Sequence, residues 1–206
     1  QVMTDSAAAG ILDEDAIEAL GAATRSIHST LASVMPTDEA GEDTRRTLVA
    51  AWRRRADDAV SRVPELERRR ADIDAVYRAA EESSAWPSLQ RIHGDLHLGQ
   101  VLDAPDRGWV ILDFEGEPLR PLTERTAPDL ALRDVAGMLR SFDYVGGHVT
   151  RHGADPDAAA QWTEGAQKAF LRGYGELPNG SADLLRALEL DKALYEVSYE
   201  ISHRPD

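Results

Sequence analysis

A block of short apolar runs and turn residues, from Trp86 to about Pro118, interrupts a chain that elsewhere repeats its apolar residues at helical spacing. Before the block, Ile17, Leu20, Ala23, Ile27 and Leu31 make one stripe, and Leu48, Ala51, Trp52 and Ala59 make a second between about Glu42 and Val63. A third, with Ile73, Val76 and Tyr77, runs from about Glu65 to Glu82. Stripes at this spacing are buried by packing helix on helix. Leu12-Asp13-Glu14-Asp15 places acids where the dipole of a helix start favours them, and Met35-Pro36-Thr37 and Pro64 break the runs. After the block, helical periodicity returns over about Leu130–Tyr144, Pro156–Tyr174 and Ser181–Ser202, with Trp162 and Phe170 as core residues. Within it lie Leu89–Ile92, Val101-Leu102 and Trp109–Leu112, the last two joined by a hairpin turn at Asp106-Arg107-Gly108. Three prolines with Gly116 make Glu117–Pro128 a long loop. The expected fold is mainly α with a small β-hairpin insert, residues 1–85 forming a helical part and 86–206 carrying the hairpin and last helices.

Composition narrows the chemistry. The absence of cysteine excludes disulfides and thiolates and leaves zinc only His and carboxylate ligands. Twenty-three basic against 37 acidic residues give a net charge of −14, which argues against a nucleic-acid surface. No apolar stretch approaches the ~20 residues of a membrane span, so a cytoplasmic protein without a membrane partner is expected. The arginine runs 53–55 and 68–70 are interleaved with acids and read as solvated faces. Lysine occurs only at Lys168 and Lys192.

The chemistry concentrates in the interrupting block. His93-Gly94-Asp95-Leu96-His97-Leu98-Gly99-Gln100 sits between apolar runs, and Leu112-Asp113-Phe114-Glu115-Gly116-Glu117-Pro118 follows the hairpin. Carboxylates at strand ends are costly unless a metal, a helix terminus or a proton uses them. The hairpin can bring Asp95, Gln100 and Asp113 to one mouth, an oxygen set that suits Mg²⁺ beside substrate phosphates. The order and spacing match the phosphoryl-transfer half of a kinase, in which an Asp takes the hydroxyl proton and an amide and a second Asp hold the metal. Gln100 stands where Asn is usual, and Glu115 where Gly is usual. His93-Gly94-Asp95-Leu96-His97 also suits a metallohydrolase, which would need His148 and His152 from a polar loop.

HGDLHLGQVL, ILDFEGEP, LRDVAGMLRSFDY and the closing LDKALYEVSYEISHRP together resemble the actinobacterial maltokinase and glucosamine kinase family, within the aminoglycoside-phosphotransferase-like kinases. The resemblance implies the carboxy-terminal lobe of a protein-kinase-like fold and ATP-dependent phosphorylation of a sugar acceptor, maltose first and glucosamine second. It implies Asp95 as catalytic base and Gln100, Asp113 and Glu115 around Mg²⁺ on ATP. Glu196 would line the sugar pocket, with His97, Lys192 and Tyr195 as further substrate-binding candidates. His93 is expected to brace the loop, and Asp134 to tie its helix to that loop or cap the helix start. Lys192 and Glu196, at i and i+4, suit a surface salt bridge. His28 reads as a structural histidine.

A kinase of this kind has an amino-terminal lobe with a lysine that pins the nucleotide phosphates. No lysine and no G-x-G-x-x-G precede Asp95, and the chain begins at Gln1. The expectation is therefore a carboxy-terminal lobe that partners an amino-terminal lobe and has little activity alone. A pseudokinase is the non-catalytic alternative, opposed by the presence of both Asp95 and Asp113.

Overall fold

The computed structural model describes residues 2–84, 86–104, 106–118 and 120–203; Gln1 and the last residues of the closing motif, 204 and 205, lie outside the described residues. The elements are α1 (Val2–Ala8), α2 (Glu14–Val34), α3 (Glu42–Arg62), α4 (Arg70–Glu82), β1 (Val101–Ala104), β2 (Gly108–Ile111), α5 (Leu122–Thr126), α6 (Leu132–Arg151), α7 (Pro156–Tyr174) and α8 (Ala182–His203). Asp13 and Asp155 cap α2 and α7 by accepting from Ala16 N and Ala158 N, as acids at helix starts do. β1 and β2 pair antiparallel, Val101 opposite Ile111 and Leu102 opposite Val110. No helix among the described residues is long and apolar enough to cross a membrane.

Two cores share one central helix. In the first, α3, α4 and α8 close around Trp52, whose ring stacks on Trp86 at 5.8 Å and lies 6.0 Å from Tyr77. In the second, Phe142, Trp162 and Phe170 join α6 and α7, and Ile17 and Leu20 bring in α2. Val101, Trp109 and Ile111 press the inner face of the hairpin onto this second core. Helix α6 gives Leu132 and Ala136 to one core and Val135 and Met138 to the other. A helix used on opposite faces is buried nearly all round, which also buries Arg133 and Asp134 in its first turn.

The expected helices form, with local differences. Helix α1 is too short to show a period. Pro64–Arg69 is a 3-10 turn, so the third expected helix becomes regular only at Arg70. Leu89–Ile92 is no strand; the segment makes single bridges, Leu89 to Asp38 and Gln90 to Asp129. The long loop contains α5. Helix α6 continues past Tyr144 to Arg151 because Val145 and Val149 keep the buried stripe going. Gly146 serves there as a contact: a Cβ would lie 2.2 Å from Thr163 Oγ1 of α7. His148 is therefore helical and His152 is the C-cap, not loop residues. Arg55 also departs from expectation, turning inward from its arginine run to Asp191.

Candidate active site

Three residues of α6, at positions 134, 137 and 141, share one face at helical spacing and carry the His93–Leu98 loop. Asp134, 1% exposed, accepts from His93 N at 2.8 Å, Gly94 N at 2.9 Å and His28 Nε2 at 2.9 Å. Burial alone would raise its pKa, but the His28 ring and the Gly94 amide outweigh that and hold the carboxyl below its usual range. One turn on, Gly137 lies against the loop backbone, where a Cβ would stand 2.4 Å from Leu96 O. Ser141 Oγ accepts from Leu98 N at 2.9 Å. His28 also contacts the Tyr174 hydroxyl at 2.9 Å, so a buried relay from α7 through α2 fixes the support of the loop.

From this loop His93 reaches the segment after the hairpin. Its Nδ1 accepts from Asp95 N at 3.2 Å, which leaves Nε2 to donate to Leu112 O at 2.6 Å. The ring also packs 4.8 Å from Phe114, and Arg91 donates to Phe114 O at 2.7 Å. Asp113, between these anchors, has φ +60°, the left-handed region. An Asp tolerates that conformation better than most residues, and strain held by neighbours on both sides often marks a functional position. Gln100 Nε2 lies 3.3 Å from Asp113 Oδ2. Glu115 is exposed two residues on.

Asp95 and its surroundings form the wall of a cavity of 920 Å³, shared with His97, Arg140, Lys192, Tyr195 and Glu196. Lys192 Nζ donates to Asp95 Oδ1 and to Glu117 Oε1, both at 2.8 Å. Arg140 donates to Glu196 Oε2 at 2.8 Å and to Asp143 Oδ2 at 3.0 Å. The expected Lys192–Glu196 pair is thus replaced: each residue finds a tertiary partner on another element. His97 Nδ1 accepts from Gly99 N at 3.0 Å, and burial lowers its pKa, so the ring is neutral at pH 7.

Behind Lys192 lies an ion-pair ladder that the motifs did not announce. Glu117 pairs with Arg120, and Arg120 reaches Asp191 at 3.3 Å. Asp191 also accepts from Arg55 at 2.8 and 2.9 Å and from Arg133 at 2.8 Å, while Arg133 binds Asp129 at 2.6 Å. Burial would raise the Glu117 pKa, but Arg120 and Lys192 hold it down. The only advance signals were Glu117 inside the second motif and the charged pair Arg133-Asp134 opening an apolar helix.

The Gln100 amide oxygen and the Asp113 carboxylate are hard donors of the kind Mg²⁺ takes. Among the described residues no three His, Cys, Asp or Glu side chains converge as an all-protein metal cage, which removes the metallohydrolase arrangement. Gln100 and Asp113 meet at the solvent edge, and Mg²⁺ is commonly held by one or two protein oxygens with phosphates and waters completing its shell. Residues 6–180 match the model of the phosphotransferase enzyme family, APH. The chain belongs to that family. It is 34% identical over 204 residues to a glucosamine kinase of Streptacidiphilus jiangxiensis, a match covering 90% of this chain and 45% of that protein. A glucosamine kinase of Mycolicibacterium smegmatis is 32% identical over 212 residues, covering 93% and 50%. A solved glucosamine kinase in complex with glucosamine, ADP and inorganic phosphate superposes with a TM-score of 0.85 at 28% identity, covering all of this chain and 53% of that one. A second crystal form of glucosamine kinase gives 0.86 at 28% identity, covering 100% and 54%. The chain spans about half the length of the relatives it matches.

Proposed function

We propose that this chain provides the metal and acceptor half of an ATP-dependent sugar kinase that converts glucosamine to glucosamine 6-phosphate. The observation that carries the reading is the cavity whose wall holds both Asp95 and Glu196, with Gln100, at the end of the loop that bears Asp95, beside Asp113 across the hairpin. An acceptor bearing an ammonium group favours a carboxylate-lined pocket, which a neutral disaccharide does not need. The relatives named above are glucosamine kinases, and this supports glucosamine over maltose, the sugar that the motifs placed first.

In this reading the 6-hydroxyl proton passes to Asp95 as the hydroxyl oxygen bonds to the γ-phosphorus. The bond from that phosphorus to the bridging oxygen breaks, and ADP leaves. Gln100 and Asp113 would hold Mg²⁺, with Glu115 nearby; the ion, when bound, offsets charge on the phosphate oxygens. Lys192, His97 and Tyr195 stand at the acceptor cavity, and His93 and Asp134 fix the loop. An amino-terminal lobe covering the nucleotide belongs to the same proposal, supported by the lack of any lysine before Lys168. The decisive assay incubates the protein, with that lobe, with ATP, Mg²⁺ and a panel of sugars and identifies products by NMR. Glucosamine 6-phosphate is expected; turnover of maltose alone, or of no sugar, overturns the assignment.

The outer face of the hairpin supplies a place for the base. Residues paired across an antiparallel ladder share a face, so Leu102 and Val110 lie together; Leu112, whose amide bonds Gln100 O, continues the strip. Leu102 is 54% and Leu112 47% exposed, beside the Gln100–Asp113 pair. An uncovered apolar strip next to a phosphate–metal site suits the flat face of adenine. Leu102→Ala is expected to weaken ADP binding by roughly five- to tenfold, the loss of part of one buried aliphatic side chain. Titration calorimetry measures it, and unchanged affinity removes Leu102 from the nucleotide site.

A further inference from the structure

We infer that Lys192 is a positioning residue for Asp95, delivered by α8, and not a contact of the acceptor sugar. The inference rests on the reading of Asp95 as base and adds how that base is held. Lys192 is one of only two lysines in the chain, and its side chain is 13% exposed. Its ammonium is spent on two carboxylates at 2.8 Å, Asp95 Oδ1 on one side and Glu117 Oε1 on the other. Binding through Oδ1 leaves Asp95 Oδ2 as the oxygen able to take a hydroxyl proton. Burial would lower the Lys192 pKa, but Glu117 and Asp95 outweigh it, so the group stays a cation throughout the physiological range.

The second carboxylate makes this more than a local pair. Glu117 follows Asp113 by four residues, on the segment that bears the proposed metal ligand. Lys192 therefore ties the loop of the base and the loop of the metal to one point on α8. That point is itself braced. Glu117 is clamped by Arg120, and the neighbouring residue on α8, Asp191, is clamped by Arg55, Arg120 and Arg133 from three other parts of the chain. A buried charge network satisfied at each link fixes geometry more strictly than apolar packing does. The arrangement also explains why a cation on the cavity wall need not repel an ammonium-bearing acceptor: two carboxylates already neutralise it.

The two-lysine composition makes the test direct. In the chain labelled with ¹⁵N-lysine, the Lys192 Nζ resonance is expected to show slow proton exchange, unlike that of Lys168, and to shift in both Asp95→Asn and Glu117→Gln. A Lys192 resonance that exchanges as fast as Lys168, or is indifferent to Asp95→Asn, overturns the pairing. In the protein with its nucleotide-covering lobe, Lys192→Met is expected to lower kcat about 100-fold, the scale of a misplaced catalytic group, while KM for the sugar stays within about twofold; Lys192→Arg should restore part of kcat. A raised sugar KM with unchanged kcat makes Lys192 a substrate contact and overturns the inference. A parent protein that phosphorylates no sugar sinks the kinase reading instead, and the resonance then decides the pairing by itself.

Discussion

Asp95→Asn is expected to cut phosphoryl transfer by two to four orders of magnitude, the usual contribution of a positioned general base, without unfolding the protein. The side chain is isosteric, and its amide oxygen can still accept from Lys192, so the wall of the cavity persists. What disappears is the carboxylate proposed to take the proton. Glu117 remains as a counter-ion for Lys192, so the substitution does not strand a buried cation. Turnover measured on the protein with the proposed nucleotide-covering lobe, beside a thermal melt, separates the two effects. A rate near that of the parent, with intact folding, removes Asp95 from catalysis.

Asp191→Asn is expected to produce the largest loss of stability of any single substitution considered, about 3–5 kcal/mol, the cost of breaking a buried ion pair from one side. The carboxylate is 0% exposed and faces three guanidinium groups. An amide can accept from them but cannot balance their charge. For a chain of this size the loss corresponds to a Tm lower by roughly 6–20 °C. The pH dependence gives a sharper reading. Burial alone would raise the Asp191 pKa, but Arg55 and Arg133 outweigh it and hold the group well below the usual carboxylate range. A depressed folded-state pKa contributes stability that is complete above the unfolded value of about 4 and drains away as pH falls through the folded one. The Tm gap between parent and variant should therefore narrow below about pH 4. A gap that is absent at pH 7, or that widens in acid, contradicts the ladder.

Local signals carried most of the fold. Asp13 announces the start of α2 because a cap is satisfied within three residues, and Asp155, which the periodicity did not single out, caps α7 in the same way. The hairpin is legible because turn residues and strand residues adjoin. The Gln100–Asp113 pair follows from the same fact, since one short hairpin separates them. Where the partner is distant in sequence the reading fails. The local rule pairs Lys192 with Glu196, yet Lys192 reaches back 97 residues to Asp95 and Glu196 reaches back 56 to Arg140. Partly buried partners on other elements, at lower effective dielectric, win over an i,i+4 pair worth a few tenths of a kcal/mol. Arg55 is the same case: its sequence neighbours are solvated arginines, and nothing among them points 136 residues onward to Asp191. Asp134 was more accessible, because a charged pair at the start of an apolar helix has to be satisfied by something nearby in space.

The central claim, that Gln100 and Asp113 hold a metal–nucleotide for transfer to an acceptor at Asp95, has a direct test on the chain itself. Mn²⁺ with ADP is added to the ¹⁵N-labelled protein, and paramagnetic broadening, which reports even weak and fast-exchanging occupancy, is mapped by residue. The account predicts selective loss of amide signals from Gly99–Leu102 and Asp113–Gly116, abolished by Asp113→Asn, with the exposed side of α7 unaffected. Broadening centred elsewhere, or the same pattern surviving Asp113→Asn, would contradict it.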